Sequence, residues 1–247
     1  MLHFPNKAYF YGEFGCLNYA ILGHLEDKEL KISISTQPDY FKLMKMKCKS
    51  ITKAEDFSVY RNNCKGSGFG LSINDSVISE LESDGFVPLN KILKFRENKC
   101  IIYLKPIKTP LKVDLGLKEQ YISISCRKRT HEPERNLSIN DWYKIIDMIK
   151  KHSNLPIIAH GMHIDTYDMS KIGIRRVESI EESIAYMNKS KVFIASMSGI
   201  AQMASNCACG VIQIGNTSRH IDYDPFNKGC IAVEKQDFEN AFLDFLK

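Results

Sequence analysis

Three segments of this 247-residue chain carry residue types able to hold an anion or move a proton. The first is Ser196-Met197-Ser198-Gly199-Ile200-Ala201-Gln202, a small-residue turn that joins an apolar run to a helical stretch. Free N–H groups in a helix's first turn, and the positive end of its dipole, attract an anion. Ser196 and Ser198 add hydroxyl donors there, Gly199 lets a phosphate approach the backbone, and Ile200 and Gln202 complete the turn. The second is Cys126-Arg127-Lys128-Arg129, with Arg135 six residues further on; arginine forks grip phosphate oxygens in pairs and neutralise their charge. The third is Gly12-Glu13-Phe14-Gly15, where the glycines permit a tight turn and the carboxylate is able to deprotonate a hydroxyl. His160 and His163 flank Gly161 at the end of another apolar run, placed to touch a sugar or a phosphate. The same residue types have plainer uses: an N-cap serine, a packing glycine, a solvated basic loop, a surface glutamate, a structural histidine. Gly66-Ser67-Gly68-Phe69-Gly70 has no clear strand before it and no clean helix after it, so it reads as a loop and not as a dinucleotide fingerprint.

The elements that must position these residues follow a regular order. In the first half, an apolar run at 8–11 meets the glycine turn, and Leu17, Ala20, Ile21 and Leu25 then recur at helical spacing. Residues 30–35 alternate like a strand, and a helical stretch covers 39–46. Residues 50–110 are less legible, with strands expected near 57–60 and 100–104 and a helix near 73–82. The two prolines in 105–115 suggest a linker. The second half is clearer. A β-rich run spans 121–125; Ser138 caps a helix whose stripe is Trp142, Ile145, Ile146 and Ile149. Strands are expected at 155–159, 172–177, 191–195, 210–214 and 230–233. Ser179 and Glu182 form a capping box opening a helix to Met187, and a further helix spans 198–207. A last helix turns Phe238, Ala241, Phe242 and Phe245 inward. Continuous apolar strands separated by amphipathic helices indicate a parallel sheet covered on both faces. Two such layers give an α/β molecule of two Rossmann-like lobes, 1–115 and 116–247, with ligands held beyond the carboxyl ends of the strands in the cleft between them.

Composition sets limits. Hydrophobic residues at 44% and charged residues at 26% suit a globular chain. The net charge of +5 is spread along the sequence and not gathered on one element, which argues against a nucleic-acid partner. The eight cysteines include no C-x-x-C pair, so neither a zinc site nor a disulfide framework is expected. No run reaches the 18 or so apolar residues of a membrane span, and the chain does not open like a secretory signal. A reduced, cytoplasmic setting is the expectation, with at most peripheral membrane association.

At this point the chain resembles the GT-B glycosyltransferases, nearest in pattern to the bacterial heptosyltransferase group that uses a nucleotide-activated heptose. Phe10 to Asn18, residues 31–35 and Pro38 to Met44 are similar to the family's opening strand, turn, helix, strand and Pro-containing helix. Arg135 to Trp142 resembles the basic segment leading into the first donor-lobe helix. Ser179 to Gly215 is similar to the family's capped helix, strand, Asp-Thr-Gly-x-x-His turn, helix and strand ending in glycine. Met197 stands where that turn has its aspartate, Ser198-Gly199 replaces Thr-Gly, and Gln202 replaces the histidine. Cys16 stands where the family carries its catalytic aspartate, so the resemblance leaves Glu13 as the substitute base beside Gly12, Phe14 and Gly15. It implies a metal-independent glycosyltransferase without a resident cofactor, moving a sugar from a nucleotide diphosphate sugar to a glycan or glycoconjugate hydroxyl. Arg127, Arg129, Arg135, Ser196, Ser198, Gly199, Ile200 and Gln202 would hold the diphosphate, and His160, Gly161, Arg175, Val177 and Glu178 the nucleoside or sugar. Competing readings are a sugar-nucleotide epimerase, a pyruvyltransferase-like enzyme on the same fold, and a non-catalytic sugar-nucleotide or glycan-binding protein.

Overall fold

The computed structural model divides into two compact units, Met1–Lys108 and Thr109–Lys247. It describes residues 110–130, 133–215 and 229–247, together with short pieces of the first unit. Those pieces are β1 (Ala8–Tyr9), β2 (Glu29–Leu30), β3 (Ser50–Ile51), β4 (Tyr60–Arg61), β5 (Leu71–Ser72) and β6 (Val87–Pro88). β1 pairs with β6 and β2 with β3, both in parallel. β4 and β5 pair antiparallel, a hairpin element that the reading of the first half as one parallel layer did not contain. Residues 79, 82 and 83 are helical, the first two inside the stretch 73–82 expected to be a helix and the third one position beyond it. The Gly12–Gly15 turn, the helical stretches at 17–25 and 39–46 and the strand near 100–104 lie outside the described residues.

The second unit is one parallel sheet of six strands: β7 (Tyr121–Ser125), β8 (Ile157–His160), β9 (Arg175–Val177), β10 (Ser190–Ser196), β11 (Gly210–Ile214) and β12 (Cys230–Val233). Their order across the sheet is β12-β11-β10-β7-β8-β9, with every pairing parallel. From β7 the chain walks outward through β8 and β9, crosses back to β10, and walks outward on the other side. Right-handed crossovers then place the helix between β7 and β8 on one face and the helix between β10 and β11 on the other. This is the doubly wound dinucleotide-binding order, and its reversal lies between β7 and β10.

Side-chain alternation divides the strands between two cores. Ile122, Ile124, Val192, Ile194, Ile212 and Ile214 face α1 (Ile139–His152) and α4 (Phe238–Leu246). The stripe expected on α1, Trp142, Ile145, Ile146 and Ile149, is its buried face. Phe238, Ala241 and Phe242 of α4 close the same core, with Phe245 packed at its edge. On the opposite face, Tyr121, Ile158 and Val177 meet Tyr186 of α2 (Ile180–Lys189), and α3 (Gly199–Ser205) packs over β10 and β11.

Helix starts follow the serines. Ser138 Oγ accepts the Asp141 N–H at 3.1 Å and Ser179 Oγ accepts the Glu182 N–H at 3.1 Å, each meeting one orphan donor of a first turn. Several boundaries differ from expectation, three of them with a clear physical reason. β8 begins at Ile157 and runs through His160, because that ring packs inside the sheet and does not turn into the loop. β9 is three residues long: residues 170–172 coil into a 3-10 turn ended by Gly173 at φ 79°, which delays the strand. α3 covers seven residues and stops at Ser205, where Asn206 and Cys207 close the end with N–H bonds to Met203 and Ala204. Within the expected linker, Leu111 is fully buried, and its N–H and carbonyl bond to Asn206 and Asn188. Loss of the cap in Ser179→Ala is expected to lower unfolding stability by about 1 kcal/mol, measured by urea denaturation; an unchanged midpoint would show that the cap contributes nothing.

Candidate active site at the sheet switch point

Two of the segments singled out from sequence emerge side by side. Ser123, Ile124 and Ser125 of β7 pair in register with Phe193, Ile194 and Ala195 of β10. The basic segment 126–129 leaves the carboxyl end of β7 and the turn 196–199 leaves that of β10. These are the ends between which the strand order reverses, where adjacent loops diverge to opposite faces and leave a crevice.

The turn after β10 has unmet polar groups. Ser198 is the N-cap of α3, yet its side chain makes no cap hydrogen bond, unlike Ser138 and Ser179. Ser196 Oγ, Ser198 Oγ and Gln202 Oε1 are all buried without a hydrogen-bond partner among the described residues. Ser196 is 1% exposed, so its hydroxyl has given up water without a partner among the described residues, and a buried hydroxyl left so costs about 1–3 kcal/mol. Gly199 is exposed and Ile200 half-buried, so the start of α3 is open to solvent at the glycine. Met197, where the family turn has an acid, is buried.

The segment after β7 is braced on two sides. Arg127 is 4% exposed, with Nη1 donating to Asn136 Oδ1 and its backbone forming an antiparallel bridge to Thr166. The Arg129 N–H donates to Asn136 Oδ1 at 3.1 Å, and Asn136 Nδ2 returns a bond to the Arg129 carbonyl at 2.7 Å. Arg129 Nε lies 3.2 Å from the Asp165 carboxylate, and the Lys128 N–H donates to the Asp165 carbonyl at 2.7 Å. Arg129 and Arg135 are partly exposed and Lys128 is exposed, its ammonium 5.7 Å from the Tyr167 ring. Asn136, Asp165 and Thr166 were not singled out from sequence. The available signal was an asparagine one position before the basic-to-cap segment Leu137-Ser138, and an acid in the loop after β8.

His160 occupies a different place from the one expected. It is 0% exposed, with Nε2 2.8 Å from Ser123 Oγ and Nδ1 3.2 Å from Ser183 Oγ. Ser123 continues to Ser190 at 2.7 Å, and Ser190 donates to the Tyr186 carbonyl. A ring with both nitrogens engaged and no solvent-facing atom ties β7, β8 and α2 together and presents nothing to a ligand in this conformation. Gly161 follows at φ 119°, and a Cβ there would sit 2.6 Å from Thr166 Cγ2, so only glycine fits. Its N–H bonds to the carbonyl of Val177, itself buried. Arg175 reaches along α2 to Glu182 and the Tyr186 hydroxyl, both at 3.0 Å, away from the two central loops. Glu178 is taken by Arg176 at 3.0 Å and His163 at 3.8 Å. Gly12, Glu13, Phe14 and Gly15 lie outside the described residues.

Burial raises the thiols of Cys126, Cys207 and Cys209 well above the ordinary cysteine range, which keeps them protonated and unreactive. Among the described residues no group of three or more His, Cys, Asp or Glu side chains is placed to hold a metal ion, and no helix is long and apolar enough to cross a membrane.

No protein-family model and no curated sequence matches the chain. Solved structures do match it in fold. One is a family 9 glycosyltransferase from Veillonella parvula, with TM-score 0.57, 10% identity, and coverage of 100% of this chain and 91% of that one. A second is the E. coli heptosyltransferase WaaC with ADP-2-deoxy-2-fluoro heptose, with TM-score 0.54, 8% identity, and coverage of 97% and 98%. A third is the dodecameric iron-containing glycosyltransferase TibC from enterotoxigenic E. coli, with TM-score 0.51, 10% identity and 86% of this chain; this chain spans 60% of TibC's length. The α/β fold is therefore similar to that of the GT-B glycosyltransferases, within them the heptosyltransferase-like group, as the sequence pattern suggested.

Burial lowers the His160 pKa to about 3 from an ordinary 6.5. The unfolded chain gains a proton below the ordinary value that the folded ring refuses. This stabilisation is therefore complete above about pH 6.5 and lost as pH falls toward 3, with a slope approaching about 1.4 kcal/mol per pH unit. Urea titrations across that range should show a shallower pH slope for His160→Gln than for the natural chain; equal slopes would remove His160 from the acid response.

Proposed function

We propose that the chain is a metal-independent glycosyltransferase that passes a sugar from a nucleotide diphosphate sugar to a hydroxyl of a glycan or glycoconjugate. The observation that carries this is the pairing at the switch point. Serine hydroxyls without partners among the described residues and the solvent-open start of α3 at Gly199 lie on one strand end, and a braced basic segment lies on the strand beside it. A diphosphate offers acceptor oxygens to a helix's first-turn amides and the negative charge the arginines complement. The fold likeness supports the same class, and WaaC, one such structure, was solved with ADP.

In the reaction the acceptor oxygen bonds to the anomeric carbon as the bond from that carbon to the diphosphate oxygen breaks. The departing diphosphate keeps the electron pair, and the hydroxyl proton passes to a base, for which Glu13 is the proposed group. Arg129, Lys128 and Arg135, with the turn at Ser196, Ser198 and Gly199, lower the barrier by meeting charge as it develops on the leaving group. Gln202 closes the turn from α3. In this reading the donor lies in a cleft between two Rossmann-like lobes, 1–115 and 116–247, its nucleoside toward β9 and Glu178. The enzyme works in the reduced cytoplasm, where such donors are made.

Thermal-shift titration with ADP-, UDP-, GDP- and CMP-sugars tests the reading, since a ligand that binds only the native state raises the melting temperature with concentration. At least one donor should stabilise the natural chain, and Arg129→Ala should weaken that donor by roughly tenfold or more, the equivalent of about 1.4 kcal/mol. A flat response to every donor would overturn the proposal. Glu13→Gln should cut turnover by about a hundredfold or more while donor binding persists; undiminished turnover would assign the base elsewhere.

A further inference from the structure

The basic segment after β7 is gripped by a single side chain, Asn136, which lies within the Arg135–Trp142 segment but has no role of its own in the sequence reading. Asn136 Oδ1 accepts from Arg127 Nη1 and from the Arg129 N–H, while its Nδ2 donates to the Arg129 carbonyl. One amide group thus satisfies both backbone groups of residue 129, as a neighbouring strand would, and holds the guanidinium of residue 127 as well. The loop after β8 completes the brace from the other side, through the Arg127–Thr166 bridge, the Lys128 bond to the Asp165 carbonyl and the Arg129–Asp165 ion pair. All of the Asn136 bonds stay within the span 127–136, and the residue is only half-buried. It adds no apolar packing to either core, so the order it imposes is local.

We propose that Asn136 is a positioning residue for anion binding: it presets the segment 126–129 so that Arg129 and Lys128 meet the ligand's diphosphate without first being ordered. This deepens the donor-binding reading above and rests on it. A flexible basic loop loses rotamer and backbone freedom when it closes on phosphate, and a loop already held in its bound form does not. Site groups must also stand within about 0.5 Å of their working positions to deliver their full effect, and an amide clamped at both N–H and carbonyl achieves that.

The test compares a nucleoside diphosphate with its nucleoside on the full chain: ADP with adenosine first, then UDP with uridine and GDP with guanosine. In Asn136→Ala, diphosphate affinity should fall roughly tenfold or more, with nucleoside affinity unchanged. In an Arg129→Ala background the same substitution should add little, because both act through one segment. Equal losses for diphosphate and nucleoside, an unchanged diphosphate affinity, or fully additive losses with Arg129→Ala would overturn the role. Should the alanine variant fail to fold, Asn136→Asp keeps the two accepted bonds and loses the donated one. Its diphosphate affinity alone should fall, and a matching fall for the nucleoside would count against the proposal. A natural chain that binds no nucleoside diphosphate would remove the donor-binding reading and this role with it; a natural chain that binds while Asn136→Ala binds equally well removes only the role of Asn136.

Discussion

A parallel sheet buried on both faces must receive helices on both, and one chain can supply them only by reversing its direction of travel across the sheet. In the unit Thr109–Lys247 that reversal lies between β7 and β10. The two central strands then end in loops drawn to opposite faces, and neither loop covers the other. The divergence of these loops is a by-product of covering the core. The residues that begin them are free to be chosen for binding, because packing is already satisfied below them by Ile124 and Ile194.

Polar groups inside the unit sort into two kinds. Ser190, Ser123, His160 and Ser183 form a chain in which each member is satisfied by the next, deep under α2. Such a network fixes the relation of three elements and is inert. Ser196, Ser198 and Gln202 are as well buried at their polar atoms but have no partner among the described residues. Folding usually pairs buried polar groups; Trp142 Nε1, Asn206 Oδ1 and both amide atoms of Gln213 share this state, and three such groups meet on the one turn after β10.

Much of the second unit was legible because its periodicities are strong. β7, β11 and β12 fall where the apolar runs place them, the stripe of α1 is its buried face, and Ser138 and Ser179 cap as their spacing suggests. The misplacement of His160 depends on contacts distant in sequence. Nothing local distinguishes a loop histidine from one drawn into the sheet by serines 37 and 23 positions away. Likewise the Asn136 clamp joins residues 7 to 9 apart across an irregular segment that has no period to read. The two candidate segments stood out in sequence by their charges and small residues, whereas the bonds that brace the basic one did not. In the first unit the described pairings of two residues each are too short to leave a periodic trace, and β5 falls in the less legible stretch where no strand was expected.

The burial of Trp142 also bears on how the molecule can be watched. It is the only tryptophan in the chain, fully enclosed between α1 and the sheet. Its indole emission therefore reports the second unit alone, from an apolar surrounding when that unit is folded and from water when it is not. Fluorescence unfolding curves follow the lobe that bears the candidate site, while far-ultraviolet circular dichroism follows both units. A gap between the two curves would measure the independence of the lobes directly, with no label attached.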